Sequence, residues 1–189
     1  MTDTAGSSGF GPSALATPAN GLTMARLLAT PIFILLIANK GASWWTVACG
    51  VLVTGSDGLD GWLARRQGKT RSGAFLDPLA DKLVVLSALV LLSYEQVLPW
   101  LPVLLIGGRE LLMSVYRSWM GRRGVSVPAS RSGKIKTLVQ DLAIATCLVP
   151  PLAQDHRLQL VAIWVAAAFT VASGVQYAMA GRRSAQVSQ

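Results

Sequence analysis

Six apolar stretches divide this chain, at about 22–38, 44–64, 74–93, 98–119, 135–152 and 158–180, each near the ~20 residues that a helix needs to cross a bilayer. The links between them are short, so the runs must either bury one another or face lipid. Composition decides between these. Only 14% of the residues are charged, against about 25% in a soluble domain, too few to clothe six apolar helices in water. An apolar content of 52% also excludes a disordered chain. Cys49 and Cys147 lie inside apolar runs and supply neither a disulfide framework nor a Cys/His metal spacing; they read as reduced packing residues. The expected fold is all-α, an integral membrane bundle of six transmembrane helices. Residues 1–11 are expected to be disordered, 12–183 to form the membrane domain with a short juxtamembrane approach over 12–21, and 184–189 to be a loose tail.

The chain carries 17 Lys+Arg and 9 Asp+Glu, a formal charge of +8. With six spans both termini share one side, and most bases fall there: Arg65, Arg66, Lys69, Arg71, Arg117, Arg122, Arg123, Arg131, Lys134, Lys136, Arg182 and Arg183. The opposite links hold Lys40 and Arg157. This is the positive-inside asymmetry, which puts both termini in the cytoplasm. It leaves no soluble basic face and no recognition motif for nucleic acid. No base precedes Arg26, so the N-terminal stretch lacks the positive region that opens a secretory signal. Trp44, Trp45, Trp100, Trp119 and Trp164 fall near span ends, where aromatic belts form.

Four of the nine acids crowd into the cytoplasmic ends of the second and third spans: Asp57, Asp60, Asp77 and Asp81. Ionisable groups at membrane depth are expensive and mark function by default. Positions 57, 60, 61 and 64 share one helical face, and 73, 77 and 81 share another. A short link makes the two helices antiparallel neighbours, so the four carboxylates can converge. Their mutual repulsion then calls for cations or retained protons. An all-oxygen set suits Mg²⁺, Mn²⁺ or Ca²⁺ rather than zinc. Gly61, Ala64 and Gly73 leave room on those faces for a ligand to reach the backbone, and Mg²⁺ commonly completes its shell with substrate phosphates. The plainer alternative is structural: ion pairs of the acids with Arg65, Arg66 or Lys69, and small residues packing helices. A cation transporter is the rival from another class, but it would spread acids through the membrane depth rather than gather them at one mouth.

The string Asp57-x-x-Asp60-Gly61-x-x-Ala64-Arg65, seven residues, then Gly73-x-x-x-Asp77-x-x-x-Asp81 resembles the signature of the CDP-alcohol phosphotransferases. That resemblance implies a six-span homodimer which transfers a phosphatidyl or similar group from a CDP-linked donor to an alcohol and releases CMP. It implies that Asp57, Asp60, Asp77 and Asp81 hold two divalent ions, Mg²⁺ or Mn²⁺, against the donor pyrophosphate. Asp81 would also be the base for the attacking hydroxyl. Gly61, Ala64, Arg65 and Gly73 would line the nucleotide site.

Two further segments resemble the branch of that family that makes phosphatidylglycerophosphate in bacterial inner membranes. One is Asn20-x-x-Thr23-x-x-Arg26; Asn20 and Thr23 would bond the nucleotide, or else cap the first span. The other runs Val127 to Thr137, including Ser132, Lys134 and Lys136. It is not a nucleotide-hydrolase phosphate loop, because the first glycine spacing is missing. Ser132 and backbone N–H groups at the start of the fifth span would face an anion. Arg109, Arg117, Lys134 and Lys136 would form a basic pocket for a phosphorylated acceptor, with lipid-headgroup contact as the alternative for the two lysines. For Arg109 the alternative is an ion pair with Glu110, disfavoured because adjacent helix positions face apart. Asp141 is expected in a structural ion pair, and His156 is given no role. The implied substrates are CDP-diacylglycerol and sn-glycerol 3-phosphate. Phosphatidylinositol phosphate synthase and cardiolipin synthase are the rivals within the family.

Overall fold

The computed structural model describes the backbone over residues 18–67, 73–122 and 131–187, and side chains at 21, 24–55, 82–116 and 135–176. Six helices and no strands fill the described residues: α1 Pro18–Lys40, α2 Trp44–Gln67, α3 Gly73–Tyr94, α4 Trp100–Arg122, α5 Arg131–Leu148 and α6 His156–Val187. The expected all-α class is found. The expected disorder of residues 1–11 lies outside the described residues.

Helix limits follow local chemistry. Gly41 ends α1 at φ 55°, where its N–H donates to Ile37 O at 2.9 Å, an ending that glycine accepts without steric cost. Ser43 opens α2, its Oγ accepting from Thr46 N at 3.2 Å. Asp155 opens α6, its Oδ1 accepting from the N–H groups of Arg157 at 3.0 Å and Leu158 at 3.2 Å. α5 stops at Leu148 rather than near 152, because Pro150 and Pro151 follow and the residue before a proline is pushed out of the helical region. α6 runs past 180 and through 184–187, so the tail expected to be loose from 184 is helical that far.

Two compact units share these helices: Met1–Phe33 with Ala48–Val84, and Ile34–Val47 with Val85–Gln189. In the first, α1 and α2 meet at Phe33 and Gly50. Phe33 is buried, and a Cβ added at Gly50 would lie 3.0 Å from its ring, so glycine permits the approach. Pro31 lies inside α1 and supplies no backbone N–H there, and Thr30 Oγ1 donates to Arg26 O at 2.8 Å beside it. In the second unit, α6 packs on α4 and α5 around buried Ile106, Ala143, Cys147, Ile163, Ala166 and Ala167. Small alanines let the helix axes come close, as in membrane helix pairs. Both cysteines are free, as expected.

The six spans of the sequence reading are only partly met. Among the described residues one stretch, His156–Gln176 of α6, is long and apolar enough to cross a membrane. Trp44–Gly55 and Lys82–Tyr94 are apolar but shorter. Arg109 and Glu110 in α4, and Lys136 and Asp141 in α5, lower the hydropathy of helices that the sequence reading counted as spans. Yet the outward faces are strongly apolar: Leu28, Leu52, Leu112, Val115 and Val161 are all at least 60% exposed.

Candidate active site

Two sets of candidate residues lie in the two units. The signature set belongs to the first. Asp57, Asp60, Gly61, Ala64 and Arg65 fall within α2, and Gly73, Asp77 and Asp81 within α3. Continuous helix at both places gives the face-sharing register that the spacing requires: 57, 60, 61 and 64 on one side of α2, and 73, 77 and 81 along one side of α3. The side chains of these residues, and of Asn20, Thr23, Arg117, Ser132 and Lys134, lie outside the described residues. Among those described, no three His, Cys, Asp or Glu side chains gather as a metal site. By donor chemistry, four carboxylates on two helices fit a pair of hard divalent ions.

The second set is seen in atomic detail. Arg109 and Glu110 lie in the middle of α4, where an apolar helix would ordinarily carry neither. Arg109 Nη1 donates to Glu110 Oε1 at 3.1 Å, and its Nη2 donates to Ser173 Oγ of α6 at 3.0 Å. Lys136 Nζ of α5 donates to the same Glu110 Oε1. One carboxylate oxygen therefore holds two cationic heads from two helices. Glu110 and Lys136 are 4% and 8% exposed. Charges so removed from water persist only when paired and hydrogen-bonded.

The Arg109 stem lies across Gly174, where an added Cβ would come within 3.2 Å of its Cγ and Nε. Arg109 Nε is buried and has no hydrogen-bond partner among the described residues. Ser173 Oγ in turn donates to Thr170 O at 2.9 Å, and Thr170 Oγ1 accepts from Gln140 Nε2 of α5 at 2.9 Å. A chain of polar contacts thus joins α4, α5 and α6.

Two sequence expectations change here. The Arg109–Glu110 pair, disfavoured for adjacent positions, forms because the long arginine reaches sideways to the shared oxygen. Lys136 is buried against Glu110 rather than spread among headgroups. Ser173 and Gly174 had no place in the sequence reading, since a Ser-Gly step in an apolar helix reads as packing. Asp141 is half-buried on α5, and His156 is exposed, its Nδ1 hydrogen-bonded to Gln159 Oε1 at 3.2 Å.

Comparison with known proteins gives the class of protein to which the chain belongs. Residues 16–172 match the CDP-alcohol phosphatidyltransferase family, and the chain belongs to that family. Its relatives carry a more particular name. It is 40% identical over 175 residues, 88% of this chain and 82% of the relative, to a probable phosphatidylglycerophosphate synthase of Mycobacterium tuberculosis. It is 39% identical to the CDP-diacylglycerol–glycerol-3-phosphate 3-phosphatidyltransferase of Sodalis glossinidius, and 36% to that of Escherichia coli. Each of those two alignments covers 85% of this chain and 92% of the relative.

Proposed function

We propose that the protein condenses CDP-diacylglycerol with sn-glycerol 3-phosphate, giving phosphatidylglycerophosphate and CMP. The observation that carries this is similarity at 36–40% identity, across 85–88% of the chain, to relatives bearing the name of that reaction. The part-buried Arg109 and the buried Lys136, gathered at Glu110, support a phosphorylated acceptor, because a neutral alcohol gives two such cations no charge to bind.

Asp57, Asp60, Asp77 and Asp81 would hold two Mg²⁺ or Mn²⁺ ions. When bound, such ions neutralise pyrophosphate charge and favour departure of the leaving phosphate. Asn20, Thr23, Gly61, Ala64, Arg65 and Gly73 would seat the cytidine and donor phosphates. Arg109 and Lys136, with Arg117, Ser132 and Lys134, would hold the acceptor phosphate, to which the orphan Nε–H of Arg109 offers a donor. The acceptor hydroxyl then attacks the phosphorus bearing diacylglycerol, Asp81 takes its proton, a new P–O bond forms, and the bond to CMP breaks. The proton passes from Asp81 to solvent.

The setting is a bacterial cytoplasmic membrane, with six crossings and cytoplasmic termini. Exposed leucines and valines on α1, α2, α4 and α6 support lipid contact, since soluble monomers rarely expose apolar patches of this extent. Trp44 and Trp45, at 64% and 76% exposure, suit an interfacial belt at the Lys40 end. We also take the unit in the membrane to be a homodimer.

The test is CMP release by purified protein given CDP-diacylglycerol and Mg²⁺ with each of three acceptors: glycerol 3-phosphate, inositol phosphate and phosphatidylglycerol. Turnover with glycerol 3-phosphate is expected. Silence there with turnover on another acceptor refutes the choice of acceptor, and silence with all three refutes the reaction.

A further inference from the structure

We infer that Glu110 and the Ser173–Gly174 step of α6 are positioning residues, forming a seat that fixes the Arg109 and Lys136 heads for an anionic acceptor. The inference rests on the acceptor pocket proposed above. Three observations carry it. Glu110 Oε1 accepts from both Arg109 Nη1 and Lys136 Nζ, so one atom sets the distance between the two cations. Ser173 Oγ accepts from Arg109 Nη2 at 3.0 Å, which fixes the plane of the guanidinium. Gly174 carries no Cβ where one would crowd Arg109 Cγ and Nε at 3.2 Å, and Nε is a buried donor without a partner among the described residues.

Two opposed effects act at Glu110. Its negative charge weakens the pull of the pocket on an anion, but its Oε1 also keeps the buried Lys136 head and the part-buried Arg109 head in place. Left without that carboxylate, a buried cation turns away to other partners, because an unpaired buried charge is strongly disfavoured. The second effect dominates. A long, freely rotating cation binds phosphate less well than one held ready, since ordering it must otherwise be met on binding.

Steady-state kinetics with CDP-diacylglycerol and glycerol 3-phosphate test this on Glu110→Gln, Glu110→Asp, Gly174→Ala and Arg109→Ala. Glu110→Gln and Gly174→Ala are each expected to raise the acceptor KM about tenfold, the loss of one well-placed charge-assisted bond, with donor KM little changed. Glu110→Asp should restore part of the difference. In a Lys136→Ala background the effect of Glu110→Gln should shrink, as coupled residues are non-additive. Gly174→Ala guards against misfolding of the Glu110 variants, because alanine favours helix. If Arg109→Ala raises the acceptor KM while Glu110→Gln and Gly174→Ala do not, or if these two raise both KM values alike, the seat is refuted alone. If Arg109→Ala leaves the acceptor KM unchanged, the acceptor pocket falls too.

Discussion

Gln140 of α5 donates through Nε2 to Thr170 Oγ1 of α6 at 2.9 Å, and both residues are buried. One turn away along α5 stands Lys136, and one turn along α6 stands Ser173, so this bond holds the two helices where the cation seat is built. Thr170→Val keeps the shape and removes the acceptor, leaving a buried amide unsatisfied. The expected cost is about 1–2 kcal/mol, since such a loss costs roughly 1–3 in proteins and interhelical bonds in membranes lie at the low end. Thermal unfolding in detergent should show a lower Tm for Thr170→Val, and partial recovery in Gln140→Leu/Thr170→Val. A single variant as stable as the parent would show the bond to be dispensable.

Asp81→Asn should lower kcat by at least about a hundredfold, the usual reach of a general base, while folding and donor binding partly survive. Asparagine keeps the volume but cannot take the proton. Measuring CMP release beside equilibrium binding of CDP-diacylglycerol separates the two effects. Activity like that of the parent would remove Asp81 from the mechanism.

Chelation of divalent ions should abolish turnover, and Mg²⁺ or Mn²⁺ should restore it where Zn²⁺ does not, because carboxylate oxygens favour hard ions and zinc favours nitrogen and sulfur. Asp57→Asn should raise the Mg²⁺ concentration needed for half-maximal rate. Full activity in excess chelator would refute the metal assignment.

These residues differ in how far the chain betrays them. The helices were readable because apolar runs and prolines punctuate them: Pro99 precedes α4, and Pro150 and Pro151 close α5 early. The aspartates were readable because acids are conspicuous in apolar surroundings, and their spacing is a local, helical fact. The seat was not. Glu110 and Lys136 lie 26 positions apart and Arg109 and Ser173 lie 64 apart, and no periodicity links residues on different helices. Ser173 and Gly174 are chemically quiet; only packing shows that an arginine crosses them.

Lys134→Ala should raise the acceptor KM more than the donor KM. Lys134 precedes Lys136 on the first turn of α5, where a cation near the acceptor adds attraction without serving the nucleotide. Titrating glycerol 3-phosphate and CDP-diacylglycerol separately gives the ranking, and the reverse order would sink the assignment of Lys134 to the acceptor pocket.

Two glycines on α2 should respond oppositely to the same change. At Gly50 an added Cβ would meet the Phe33 ring at 3.0 Å, whereas at Gly55 nothing among the described residues lies within 4 Å. Alanine favours helix over glycine by about 1 kcal/mol, so Gly55→Ala should leave stability equal or raise it. At Gly50 the same gain is opposed by overpacking, which typically costs about 1–3 kcal/mol, and Phe33 is too deeply buried to swing clear without opening a gap. Gly50→Ala should therefore lower Tm while Gly55→Ala does not. Equal Tm values for both variants would mean that the α1–α2 approach does not depend on the missing side chain.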